Sequence, residues 1–173
     1  MSKMKKMALT AMIAAITTVT SNLFFIPVGF TRIFLMQHFA NVITAVLLGP
    51  AYAVAQAIIV STIRNISGTG SIFAYPGSII GAFLAGWLFM KTRKMEMAFV
   101  GEVVGTGIIG AMACYPIATL FLGQEAALFG FIPAFFVSSC AGAILGFLLL
   151  KVLMKNSSIG GIIYENSTYN RRI

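Results

Sequence analysis

The chain has 173 residues, of which 59% are hydrophobic and 9% charged, and its formal net charge is +8. Soluble domains carry roughly 25% charged residues, so the composition excludes an ordinary soluble enzyme or binding module and points to an integral membrane protein. The positive balance reads as lysine and arginine gathered on one side of a membrane, not as a nucleic-acid surface.

Lys3, Lys5 and Lys6 open the chain, and no Asp, Glu, Lys or Arg follows until Arg32. A membrane crossing needs about 20 apolar residues, and a first span fits this stretch. It lacks a small-residue cleavage site ahead of a polar mature domain, so it is read as a span and not as a removed leader. Ala8, Ala11 and Ala15 lie along it. Ala11 and Ala15 are one helical turn apart and share a face, and small residues at that spacing let membrane helices approach closely. Packing within this chain and docking of a separate membrane subunit both fit. Leu23 to Phe34, with Pro27 and Gly29, is expected to be a loop.

The uncharged stretch from Ile33 to Ile63 is too long for one crossing. As a single helix it would measure roughly 45 Å against a hydrocarbon core of roughly 30 Å. Gly49-Pro50 in its middle predicts a turn between helices over 35–48 and 51–67. The first is short, and its polar start at Gln37 and His38 predicts that it begins in a protein-lined cavity. A fourth span is expected over about 72–90, a fifth from near Ala98, and a sixth within 126–150. They carry Gly77-x-x-x-Gly81, Gly101-x-x-x-Gly105 and Gly142-x-x-x-Gly146, which predict a tight bundle. Cys114 and Cys140 fall inside spans without metal-ligand spacing and read as small buried residues.

The expected fold is therefore an all-α membrane protein, a compact bundle of about six transmembrane helices over 1–155, followed by a polar tail over 156–173. With six spans, the lysine clusters before span 1, after span 4 and after span 6 share one side. That side is the cytoplasm, with both termini in it.

Polar side chains inside such a chain mark candidate sites, because burying them in a membrane is costly. Gln37, His38 and Asn41 lie at the start of span 2, and Arg64 and Asn65 near the end of span 3. Thr69 follows in a Gly-Thr-Gly loop, Tyr75 and Ser78 open span 4, and Tyr115-Pro116 interrupts span 5. All are expected at one depth, lining an outward-facing pocket for a small polar molecule. Simpler readings stand beside this one. Arg64 can reach headgroups or pair with Glu125; His38 can be a satisfied buried histidine; Tyr115-Pro116 can be only a kink. Glu102 is expected about one turn in from the cytoplasmic end, remote from Arg64, in a structural or coupling role. With a single histidine, no His-Glu-x-x-His and no Gly-x-Ser-x-Gly, no enzyme is read, and no metal or cofactor site. The Gly68-Thr69-Gly70 turn lacks the Lys-Ser/Thr of a P-loop.

Several of these stretches together resemble a known family. They are Gln37-His38-Phe39-Ala40-Asn41-Val42, Leu47-Leu48-Gly49-Pro50, Arg64 to Gly70, Phe73-Ala74-Tyr75-Pro76-Gly77-Ser78, and Gly101-Glu102-Val103-Val104-Gly105-Thr106-Gly107-Ile108-Ile109-Gly110. The resemblance, over about residues 5–152, is to the ThiW family: substrate-binding (S) components of energy-coupling factor (ECF) vitamin transporters, assigned to the thiazole precursor of thiamine. It implies a six-helix protein of the prokaryotic plasma membrane. It implies a pocket near the outer face for a vitamin precursor, hydroxyethylthiazole or its phosphate. It further implies docking, through an Ala-x-x-x-Ala face of span 1, onto a transmembrane coupling protein driven by two ATPase subunits that use ATP. Alternatives kept open are an S component for another vitamin such as thiamine, and a stand-alone secondary transporter.

Overall fold

The computed structural model describes residues 1–23, 26–28, 31–123, 125, 127–155 and 161. The expected tail over 156–173 lies outside the described residues except for Gly161. Among the described residues the chain forms six helices and one small hairpin. The helices are α1 (Lys3–Leu23), α2 (Leu35–Leu48), α3 (Pro50–Ile66), α4 (Ala74–Thr92), α5 (Met95–Phe121) and α6 (Ile132–Met154). Two of them, α5 and α6, are long and apolar enough to cross a membrane on length and composition.

Between α1 and α2 the sequence led us to expect a loop. The chain instead pairs β1 (Ile26–Val28) antiparallel to β2 (Thr31–Ile33), with Ile26 opposite Ile33 and Val28 opposite Thr31. Ile-Pro-Val and Thr-Arg-Ile are rich in β-branched residues around a glycine, so a short hairpin follows from local propensity, and Pro27 is tolerated because the two-stranded pair has only edges. At the next junction Gly49 adopts φ +95°, and Pro50 occupies the first turn of α3, where its missing N–H costs nothing.

Successive helices alternate in direction. Lys6 sits over the ring of Tyr52, 5.8 Å from its centroid, which brings the starts of α1 and α3 together. Phe99 and Phe147, with centroids 6.4 Å apart, join the start of α5 to the end of α6. The lysine-bearing ends of the helices thus gather at one end of the bundle, here termed the basic end. The core is unusually rich in alanine and glycine, as in Ala53, Ala57, Ala82, Ala85, Ala98 and Ala143, all fully buried. Small residues bring backbones together: a Cβ on Gly105 would stand 2.7 Å from Gly81 Cα, so α4 and α5 cross with almost nothing between them.

Helix α5 is not interrupted at Tyr115-Pro116. It passes through Pro116 by widening into a π-helical turn over Ile117–Phe121, closed by Leu122 N–H donating to Ile117 O at 3.2 Å. Proline lacks the donor for an ordinary i→i−4 bond, and the wider turn redistributes the freed carbonyls. A second π-helical segment spans Gly105–Gly110, where three glycines lower the resistance to rewinding.

On α1, Ala14 is buried against the bundle, whereas Ala8, Ala11 and Ala15 face outward beside Met4, Met12 and Ile16. The inner face of α1 carries the buried Thr10, Thr17, Thr18 and Ser21. Polar groups inside and apolar groups outside suit a helix whose surroundings are lipid or another apolar surface.

Candidate functional site

Opposite the basic end, α2, α3, α4 and α6 surround a cavity of about 700 Å³. That lies within the roughly 300–1,000 Å³ range of small-molecule sites. Its polar lining includes Gln37, His38, Arg64, Thr69, Ser71, Ser78, Glu125 and Ser138. Its apolar walls include Phe34, Phe73, Phe131 and Phe135.

Arg64 dominates the upper tier. Its side chain is almost wholly buried at the last turn of α3. Nη1 donates to Gln37 Oε1 at 2.6 Å, Nη2 donates to Thr69 O at 3.1 Å, and the guanidinium lies 3.9 Å over the ring of Phe34. Gln37 Nε2 in turn donates to Ser61 Oγ at 2.9 Å. The glycine-rich loop explains how the arginine is held. Gly68 turns at φ +68°, and the N–H groups of Thr69 and Gly70 both donate to Arg64 O at 2.9 Å. A Cβ on Gly70 would press 3.0 Å from the Arg64 backbone, so the loop wraps the end of α3 because that residue is glycine. Asn65 braces the same turn by donating to Ser61 O and Ser71 O.

The lower tier is a carboxylate hub. Glu102 is fully buried, and its Oε1 lies 2.8 Å from His38 Nδ1, 3.0 Å from Asn41 Nδ2 and 3.0 Å from Thr106 Oγ1. Asn41 Nδ2 also approaches Ser78 Oγ at 3.1 Å, tying α2, α4 and α5 together at one point. His38 lines the cavity, so the histidine ring separates Glu102 from the space above it. Nδ1 is held by the carboxylate, and Nε2 has no protein partner among the described residues.

This hub corrects the expected place of Glu102. It was expected apart from the polar cluster, near the basic end. Helix α2 is short, so His38 lies only ten residues from its basic end at Leu48, roughly 15 Å. Helix α5 starts at Met95, three residues earlier than the predicted Ala98, so Glu102 lies seven residues in, roughly 10 Å. The two side chains meet, His38 Nδ1 lying 2.8 Å from Glu102 Oε1. Arg64, fourteen residues along α3 from Pro50, makes its contacts with Gln37, Thr69 and Phe34 and none with Glu102. The expected single layer of polar groups is thus two tiers.

The nine candidate residues divide accordingly. Gln37, His38, Arg64, Thr69 and Ser78 line the cavity. Asn41 lies beneath it in the hub. Asn65 supports the loop from outside. Tyr75 turns away, its hydroxyl 3.0 Å from Thr62 Oγ1, and fastens α4 to α3. Tyr115 is half-buried on α5 and is not part of the lining. Glu125 lines the same cavity as Arg64 from the connection between α5 and α6, where it is exposed.

The family resemblance implies a pocket formed by outer loops and spans 4 to 6, with a phenylalanine able to stack on the ligand. Helices α4 and α6 do line the cavity and α5 does not, but the sequence singles out no particular phenylalanine or α6 residue. Phe131, Phe135 and Ser138 recur at helical spacing on one face, next to the Ser138-Ser139 pair inside an apolar run. That pair was the available signal. Ser138 Oγ donates to Phe34 O at 3.3 Å, so α6 anchors the residue that stacks on Arg64. Gly77 admits Phe135, whose Cε1 would stand 2.7 Å from a Cβ there. Among the described residues no three His, Cys, Asp or Glu side chains gather as a metal site.

A helix bundle with a polar-floored, aromatic-walled cavity at one end has the form of a small-molecule binding site. The family described as thiamine-precursor transporter protein (ThiW) matches residues 7–156. The chain belongs to that family. No curated protein and no solved structure matches it.

Proposed function

We propose that the protein is the substrate-binding S component of an ECF-type importer for a thiamine precursor, with hydroxyethylthiazole or its phosphate as ligand. The observation that carries this reading is the cavity itself. Gln37, His38, Arg64 and Ser78 supply hydrogen-bonding groups from three helices, and Phe73, Phe131 and Phe135 supply flat apolar surface. A small heteroaromatic ring with one polar substituent needs that combination. The family supports the thiamine-precursor class.

In this reading all six helices cross the membrane, the basic end faces the cytoplasm, and the cavity opens outward. The outward-facing Ala8, Ala11 and Ala15 of α1 form a small-residue strip onto which a transmembrane coupling protein packs, itself driven by two ATPase subunits. The chain needs no cofactor of its own, and the tail over 156–173 lies in the cytoplasm. The test is uptake of labelled hydroxyethylthiazole or its phosphate by cells carrying this chain with or without coupling subunits. Uptake that requires both supports the assignment. Accumulation by this chain alone would instead make it a secondary transporter.

A further inference from the structure

Among the described residues no carboxylate forms an ion pair with Arg64. The chain has four acidic residues, Glu96, Glu102, Glu125 and Glu165. Glu96 sits in the first turn of α5 at the basic end. Glu102 is engaged by His38, Asn41 and Thr106 in the tier below and is too distant to pair with Arg64. Glu125 lines the same cavity from an exposed connection but makes no ion pair with Arg64, and Glu165 lies outside the described residues. Among the described residues, the partners of Arg64 are an amide oxygen, a backbone carbonyl and an aromatic face. None is an anion. Its Nε is buried without a hydrogen-bond partner, and Gln37 and Thr69 occupy only part of a donor set that accepts nothing. A guanidinium cannot shed its proton to escape burial, and an unpaired buried charge is costly. The remaining donors belong to a side chain that lines the cavity.

We propose that the cavity takes its ligand as an anion: a small heterocycle bearing a phosphate ester whose oxygens dock on the Nη hydrogens of Arg64 that Gln37 and Thr69 leave unused. Phosphate geometry matches the planar guanidinium fork. Phe34 already covers one face of that fork, so the ester approaches it edge-on, and the ring lies against Phe131 and Phe135. The inference rests on the reading of the cavity as a thiamine-precursor site and specifies the form of the ligand.

The test is calorimetric titration of the purified full chain with four probes: hydroxyethylthiazole phosphate, hydroxyethylthiazole, inorganic phosphate, and a short-chain phosphatidic acid. Arg64→Gln and Arg64→Lys are titrated alongside. The expected result is at least tenfold tighter binding of the ester than of the alcohol. That ratio falls toward one in R64Q and is partly kept in R64K. The wild-type ratio alone decides the matter if R64Q does not fold. Equal or tighter binding of the alcohol overturns the anion inference and leaves the thiazole site standing. Tightest binding of phosphatidic acid assigns Arg64 to a lipid headgroup, and tightest binding of inorganic phosphate removes the heterocycle; either overturns the inference. Binding of none of the four overturns the underlying reading as well.

Discussion

His38 Nδ1 lies 2.8 Å from Glu102 Oε1, a contact that joins α2 to α5 beneath the cavity. The pair sits where a ligand resting on His38 would bear on α5, the helix that carries both π-helical turns. The same carboxylate oxygen gathers Asn41 and Thr106, so one residue holds the cavity floor together.

Replacing Glu102 by Ala leaves His38 Nδ1 without its partner and takes one contact each from Asn41 and Thr106, which keep Ser78 and Gly77. An unsatisfied buried group costs about 1–3 kcal/mol, so Glu102→Ala should lower the thermal midpoint of the detergent-solubilised protein by several degrees. Glu102→Gln retains an acceptor oxygen and should lose less. Equal midpoints for wild type and Glu102→Ala would show that the hub is not formed.

Gly81 tests the close crossing of α4 and α5. A Cβ there meets Thr106 Oγ1, and Glu102 Oε2 at 2.9 Å. Overpacking of this kind costs about 1–3 kcal/mol, so Gly81→Ala should be destabilised and should bind ligand more weakly, since the hub must shift. Thermal unfolding and titration of the same preparation check both effects.

Tyr75 and Asn41 separate brace from site. Tyr75→Phe removes one half-buried hydrogen bond to Thr62, worth about 1 kcal/mol, and should leave ligand affinity unchanged. Asn41→Ala breaks the link among α2, α4 and α5 and should weaken affinity at least tenfold. A large affinity loss in Tyr75→Phe would mean that the cavity extends to that side of α4.

Much of this arrangement was legible in the sequence. Gly49-Pro50 announced the turn between α2 and α3, and charge-free runs bounded by lysine clusters announced the helices. Polar residues in an apolar chain pointed to Gln37, His38 and Arg64. Depth was the part that could not be read. Whether Glu102 meets His38 depends on how far a fourteen-residue helix reaches beside a much longer one, which no local pattern encodes. Residues with unexceptional types were also hidden: Phe131 and Phe135 look like any apolar residues until α6 is set against α2 and α4.

The outward strip on α1 makes a prediction about assembly alone. Ala11→Leu places bulk on an exposed position, so stability and ligand affinity should stay unchanged. Co-purification with the coupling protein and ATPase subunits should fall sharply, and uptake with it. Intact assembly in Ala11→Leu would move the docking surface elsewhere on the bundle.

The central claim is that the cavity binds a thiamine precursor, and thermal stability of the purified protein against a ligand panel tests it most directly. The panel is hydroxyethylthiazole, its phosphate, thiamine, the pyrimidine precursor and unrelated vitamins. A ligand specific for the folded state adds about 2.7 kcal/mol at a hundredfold its Kd. The account predicts saturable stabilisation by a thiazole ligand, lost in His38→Gln, which keeps an amide donor for Glu102 and so keeps the fold. Stabilisation by an unrelated vitamin and by no thiamine precursor would contradict it.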